Sequence, residues 1–412
     1  MSAEILFLAN RIPFPPDRSD KIRAHHVLKG LAEIAPVHVA TFAETGQDWE
    51  QKGELASVAA SHCLAHRRKP ELIAGAEALL RREPRRAAAY RDAKLAHYVG
   101  EILASRPIET IYVFTAEMGQ YVPAGFRGRV VADLVDVVSS KIEASSKFAS
   151  WPNTWFQARE SRLLRRLEER LAHRAERTLL VSEQEASLFR SRLEQPKGAR
   201  IVALRSGIDI DYYDPKQVRP EPSLSEGRGP HLVFTGQMNS PHNVRAARRV
   251  VEAMLPAVRE HFPFAQFHIV GREPTHQILE FDWRDGVRVW GEVPDLRPFL
   301  AAADVVLAPL ESVRRVEHKV LGAMAMARPV VLTREAAIEL DAEDGVHFAI
   351  EESNDGFVAR LHHLLGNRDA ASAMGAAARN YVIENHGWRA MLAGLPGLVG
   401  LGGLCVADLR AA

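Results

Sequence analysis

Cysteine is scarce in this chain: Cys63 and Cys405 are the only two among 412 residues. Two thiols so far apart supply neither a disulfide framework nor the paired spacing of a structural zinc site, and a reducing cytosol suits them best. Net charge is equally scant. Lys and Arg number 53 against 52 Asp and Glu, a formal +1, so no whole-molecule field draws the chain to nucleic acid or to an anionic membrane. Long apolar runs are missing too. Residues 391–407 are apolar, but Gly394, Pro396, Gly397, Gly400, Gly402 and Gly403 interrupt a stretch already shorter than the ~20 residues of a membrane span. The first eleven residues have no basic segment ahead of an apolar core, which argues for a first strand and against a signal peptide.

What is present is ordinary globular composition, 47% hydrophobic and 25% charged, in a length that suits two or three domains of ~100–200 residues each. Short apolar runs at 4–9, 37–42, 110–114, 130–134 and 178–181 predict strands, with a helix over 22–34 between the first two. Residues 216–229 are rich in Pro, Gly, Ser and charge and read as a linker. Beyond them the alternation restarts, with strands at 231–235, 266–270, 287–290, 305–307 and 330–332 and helices over 243–261, 296–302 and 318–327. The fold class expected is α/β, two doubly wound parallel-sheet, Rossmann-like domains facing across a cleft. The first covers 1–215 and the second 230–388, followed by a Gly-rich tail at 389–412. Ligands in such sheets lie beyond the carboxyl ends of the strands.

Two stretches are locally basic. Residues 67–94 hold nine Lys and Arg against four acids, and residues 159–177 hold seven against four on a helix that turns Leu163, Leu164, Leu167 and Leu171 inward. The plain reading is a solvated face; the functional one is a surface resting on anionic lipid headgroups.

Four loops fall at the strand ends where chemistry would gather. In 11–23, Asp20, Lys21 and Arg23 follow a Pro-stiffened turn into a helix, a phosphate-binding arrangement by helix N-terminus and cations, or simply a helix capped by Ser19 or Asp20. It lacks the glycines of a Walker or dinucleotide loop. Next, Asp136 ends a strand and is the candidate to position or deprotonate an acceptor hydroxyl, against the plain role of bonding loop backbone and Lys141. Third, Gly236, between a strand and the long helix from Asn243, lets backbone approach a phosphate. Fourth, Arg314, Arg315, His318 and Lys319 open a small-residue helix and suit a pyrophosphate. Asp209 and Asp211 have the spacing of a chelating pair but read as a turn, and the 17 scattered histidines predict no metal site.

Taken in order, Arg11-Ile-Pro-Phe-Pro-Pro-Asp17, Asp20-Lys-Ile-Arg23, Ser206-Gly-Ile-Asp209 with Asp214-Pro215, Phe234-Thr-Gly236, Ile269-Val-Gly-Arg272 and Lys319-Val-Leu-Gly-Ala-Met-Ala resemble the sugar transferases associated with PEP-CTERM exopolysaccharide systems, within glycosyltransferase family four. The resemblance runs from about Ile5 to Trp388. It implies the GT-B architecture and a metal-independent enzyme that retains anomeric configuration, with no cofactor. A nucleotide-diphosphate sugar donor would be held by the second domain (Gly236, Arg272, Arg314, Arg315, Glu317, His318, Lys319). A glycan or lipid-linked glycan acceptor would be held by the first. The setting implied is the cytoplasm, peripheral on the inner face of the cytoplasmic membrane, with no nucleic-acid partner. One departure falls on the donor side: where the family commonly has a ribose-contacting Glu in the Lys-Val-Leu-Glu-Ala-Met-Ala motif, this chain has Gly322. A catalytically degenerate binding partner in polysaccharide assembly and a sugar-nucleotide 2-epimerase therefore stay open beside the transferase.

Overall fold

The computed structural model describes residues 3–146, 153–311, 318–338 and 340–401, and the chain divides into two compact units, Met1–Ser206 with Met391–Ala412, and Gly207–Ala390. In the first unit, strands β1 (Glu4–Ala9), β2 (Val37–Ala43), β3 (Ser61–His66), β4 (Ile108–Phe114), β5 (Arg129–Val135), β6 (Arg177–Leu180) and β7 (Ile201–Ala203) form one parallel sheet in the order β3-β2-β1-β4-β5-β6-β7. Every residue of β1 and β2 is buried. Successive side chains leave opposite faces of a strand, so Ile5, Phe7 and Ala9 join one core with Tyr112 and Phe114, while Leu6 and Leu8 join another with Ile111 and Val113. A parallel sheet covered on both sides needs this continuous apolar run.

The second unit repeats the plan with β8 (His231–Thr235), β9 (Gln266–Val270), β10 (Val287–Gly291), β11 (Val305–Ala308), β12 (Val330–Leu332) and β13 (Ala349–Ile350), ordered β10-β9-β8-β11-β12-β13. In both sheets the strand order reverses beside the first strand, between β1 and β4 and between β8 and β11. That reversal parts the flanking crossovers and leaves a crevice at the carboxyl ends.

Two boundaries differ from those read in the sequence. The division falls after Ser206, because Ile208 pairs with Gly387 and Leu224, inside the supposed linker, is fully buried in the second unit's core. The described part of the Gly-rich tail, up to Leu401, returns to the first unit. Leu395, Leu398 and Val399 pack into its core, Thr110 Oγ1 donates to the Val399 carbonyl at 2.8 Å, and a Cβ on Gly30 would lie 3.1 Å from Leu395.

Candidate functional site

In the second unit, the switch-point crevice is built from backbone that has no room for side chains. A Cβ on Gly271 would stand 1.6 Å from the Gly236 carbonyl oxygen, so the chains leaving β8 and β9 touch directly. A Cβ on Gly236 would meet Asn243 Nδ2 at 2.8 Å and Lys319 Nζ at 3.1 Å. Lys319 donates to Asn243 Oδ1 at 2.5 Å, Asn243 Nδ2 donates to the Gln237 carbonyl at 2.9 Å, and the ammonium sits 5.0 Å from the centre of the Phe234 ring. The asparagine thus holds the lysine over the glycine turn. Lys319 belongs to the helix His318–Ala325, and Asn243 to the helix Pro241–Arg249, which starts with Pro at its first position, where the missing N–H costs nothing.

Of the residues expected here, Gly236 and Lys319 come together. Arg272 sits beside them: its carbonyl accepts from Met238 N at 2.9 Å and its side chain is exposed. His318 opens the lysine's helix and is exposed. Arg314, Arg315 and Glu317 lie outside the described residues. Asn243 was not nominated from sequence; its signal was its place in the loop that starts at Gly236. Also unanticipated is Glu273, which accepts from Gln237 Nε2 at 2.8 Å and Asn239 Nδ2 at 2.6 Å and closes the loop's outer side.

Gly322 stands one turn along from Lys319 and is buried. A Cβ there would approach the Tyr213 ring at 3.2 Å, so a tyrosine from the start of the second unit occupies the space beside the position where the resemblance implies a carboxylate. Burial pushes the Tyr213 phenol up to about 12, which keeps it neutral. Asp209 makes the turn expected of it, its Oδ1 accepting from Asp211 N at 3.1 Å and Tyr212 N at 2.9 Å.

The first unit's carboxyl edge is crowded with paired charge. Lys21 is buried and donates to Asp48 Oδ1 at 2.6 Å. Arg23 is 1% exposed; it donates from Nε to Asp133 Oδ2 at 2.9 Å and from Nη1 to the Leu204 carbonyl at 2.7 Å. The two cations expected to meet a phosphate are therefore occupied by this chain's own carboxylates, in the interior. Asp20 is paired with Arg11 at 2.9 Å, and the helix begins after Arg18 with no side-chain cap, so it does not cap its helix as one sequence reading had it.

Asp136 does reach the edge. It follows Val135, a β-branched residue at φ +65°, and β5 slips register there, which turns the chain out of the sheet. Its carboxylate pairs with Lys141 at 2.6 Å. Behind it, Glu168 is buried and accepts from Ser139 N at 3.0 Å and Ser139 Oγ at 2.6 Å; burial raises its carboxyl to about 7. Glu117, 1% exposed at the end of β4, accepts from Asn10 at 3.1 Å and Arg86 at 2.9 Å. Neither acid was singled out from sequence, since a lone Glu in a helix normally faces water. Among the described residues no group of three His, Cys, Asp or Glu could hold a metal ion.

Residues 229–367 match the family model described as Glycosyl transferases group 1. No curated protein matches the chain by sequence. Among solved structures, Alr3699/HepE of Anabaena in complex with UDP and glucose is 15% identical with a TM-score of 0.61, covering 97% of this chain and 100% of that one. A glycosyltransferase from Rickettsia africae is 13% identical with a TM-score of 0.63, covering 97% and 98%. WaaG, a glycosyltransferase involved in lipopolysaccharide biosynthesis, is 14% identical with a TM-score of 0.58, covering 96% and 100%. These likenesses establish the fold as GT-B, two parallel-sheet α/β domains.

Proposed function

We propose that the protein is a retaining glycosyltransferase that moves a sugar from a nucleotide-diphosphate donor to a lipid-linked exopolysaccharide intermediate, working peripherally at the inner face of the cytoplasmic membrane. The observation that carries this reading is the Gly236–Asn243–Lys319 cradle, inside the segment that matches Glycosyl transferases group 1. A turn too tight for a Cβ, a lysine fixed by an asparagine and the start of a helix together suit a diphosphate. As the bond from the sugar's anomeric carbon to the diphosphate oxygen breaks, negative charge builds on that oxygen. Lys319 is already oriented to meet it, which is stabilisation of the charge that grows in the transition state. Solved relatives in fold hold UDP, and UDP-glucose in one case, which supports a nucleotide sugar as donor.

In the first unit, Asp136 orients the acceptor hydroxyl, with the Lys141 ammonium paired to its carboxylate at 2.6 Å. The reaction needs no cofactor and no metal in this reading: Lys319 and the helix start take the part of the cation. The test is incubation with a panel of nucleotide sugars, reading release of the nucleoside diphosphate and the anomeric configuration of the product by NMR. Release with inverted configuration would remove the retaining mechanism, and no release from any donor would remove the enzyme.

A second reading has its own observation. Tyr213 fills the space beside Gly322, and a chain that has lost its ribose-facing carboxylate and packed over the gap could serve as a binding partner in polysaccharide assembly without turnover. Nucleotide binding without donor cleavage would decide for it.

A further inference from the structure

The helix Glu71–Leu80 in the first unit is turned inside out. Its buried residues are Ala74 and Ala78, packed on Ala88, whereas Leu72, Ile73, Leu79 and Leu80 are exposed, Leu72 by 88% and Leu80 by 87%. At 100° per residue the four aliphatic side chains fall within an arc of roughly 120°, opposite the alanines. Trp155 and Phe156, more than half exposed, open the neighbouring helix Asn153–Arg174. Arg159 of that helix donates to the Ala78 carbonyl at 3.0 Å and ties the two together. Leu72, Leu79 and Phe156 line one cavity, and six large exposed apolar side chains on two linked helices are more than a monomer surface normally leaves to water.

The unmatched charge around this face is positive: the acids there are engaged, Glu71 with Arg85, Glu83 with Arg91, and Glu160 accepting from the backbone of Arg85 and Arg86. Arg68 precedes the inverted helix and Arg82 follows it, while Arg162, Arg166 and Arg170 continue from Trp155 along a single exposed stripe of the long helix at i, i+7, i+11 and i+15. Among the described residues none of these five arginines has a side-chain hydrogen bond or ion pair. Other cations nearby are already matched: Lys69 and Arg91 with Glu77, Arg86 with Glu117. An apolar face rimmed by unmatched guanidinium groups is the pattern of an interfacial helix on a negatively charged bilayer.

We infer that this face seats on an anionic phospholipid bilayer, with Leu72, Ile73, Leu79 and Leu80 entering the acyl boundary and the five arginines at the headgroups. A cavity of about 870 Å³ connects the face to the chemistry: Leu72, Leu79 and Phe156 line it at one side, and Lys141 and Ile142 at another. Lys141 is the partner of Asp136. The docking face and the acceptor carboxylate are thus joined through one residue, which places a membrane-held acceptor within reach of the sheet edge. The inference deepens the proposed function by naming the surface and the lipid charge, and it rests on that reading only for what the seating is for. Its test uses neither donor nor acceptor.

The experiment is sedimentation of the full chain with sucrose-loaded phosphatidylglycerol vesicles and, separately, phosphatidylcholine vesicles, repeated in 0.5 M salt. Binding to phosphatidylglycerol that weakens in salt is expected, with little to phosphatidylcholine. Leu72→Ser/Leu80→Ser should lower the partition coefficient about a hundredfold, about tenfold per leucine. Both side chains are outside the core, so its thermal unfolding should match the parent's. Arg162→Gln/Arg166→Gln/Arg170→Gln should remove most of the salt dependence. Three results would overturn the inference: equal binding to both lipids, undiminished binding by the leucine variant, or no vesicle binding. A dimer in sedimentation velocity that dissociates in the leucine variant would, with no vesicle binding, assign the face to a second copy. Failure here leaves nucleotide binding in the second unit untouched, so the two readings fail separately.

Discussion

Replacing Arg23 with Met should unfold the first unit far more easily while leaving nucleotide binding alone. The guanidinium and its partner Asp133 are 1% and 0% exposed, and the geometry is bidentate, with Nε to Oδ2 at 2.9 Å and Nη2 to Oδ1 at 3.1 Å. Removing one member of such a pair strands the other charge in a low dielectric, typically a loss of about 3–5 kcal/mol. The Leu204 carbonyl also loses its donor at 2.7 Å. For a unit of this size, about 2–4 °C per kcal/mol turns that into a fall in melting temperature of roughly 6–20 °C. Adding Asp133→Leu removes the stranded carboxylate and should recover part of the loss. Recovery stays incomplete because buried Tyr112 then has no acceptor in place of Asp133 Oδ2, now 2.8 Å away. Scanning calorimetry of the parent, the single and the double variant reads the effect. Titration with UDP at 15 °C, below the transition of each variant, should give the parent affinity. An Arg23→Met protein that melts within 2 °C of the parent would refute the reasoning and return Arg23 to the list of residues free to meet a phosphate.

Three more predictions follow from single residues. Lys319→Ala should weaken nucleoside-diphosphate binding by about ten- to a hundredfold, the size of a lost charge-assisted hydrogen bond, and leave nucleoside binding nearly unchanged; equal losses in calorimetric titration would contradict a phosphate role. Glu168, raised by burial from 4.5 to about 7, stabilises the fold fully below pH 4.5, and that contribution is lost as pH rises through 7, on the order of 3 kcal/mol. Denaturant unfolding of Glu168→Gln should show a flatter profile between pH 4.5 and 7.5 than the parent, and parallel profiles would sink the assignment. Gly322→Glu places a Cβ 3.2 Å from the Tyr213 ring and should cost about 1–3 kcal/mol by overpacking. Paired with Tyr213→Ala it should instead tighten UDP binding about tenfold or more, and a double variant that binds no better would show that the ribose carboxylate implied by the resemblance has no counterpart at 322.

The parts of the fold that were legible are those buried on both faces. β8, β9 and β12 begin and end where their apolar runs do, because a central parallel strand carries no polar alternation to blur its edges. The strands missed are at the margins: β3 reads Ser-His-Cys-Leu-Ala-His, β7 has three residues and β13 two. An edge strand is covered by less of the molecule and needs less hydrophobicity. The site was half legible for a related reason. Gly236 and Lys319 announce themselves by residue type, but the same logic nominated Lys21 and Arg23, whose long side chains fold back to interior carboxylates 27 and 110 residues away in sequence. No local pattern records such pairings. The inverted helix was half hidden in the same way: its flanking basic residues read either as a solvated face or as a surface for anionic lipid, and only its packing shows that the alanines point in.

The central claim is that the second unit's glycine turn and Lys319 hold a nucleoside diphosphate. Calorimetric titration of the purified chain with UDP, GDP and the corresponding monophosphates tests it most directly, because it depends on no acceptor. The account predicts micromolar binding of one diphosphate, clearly tighter than its monophosphate. No binding across the panel by a folded sample, or equal affinity for mono- and diphosphate, would contradict it.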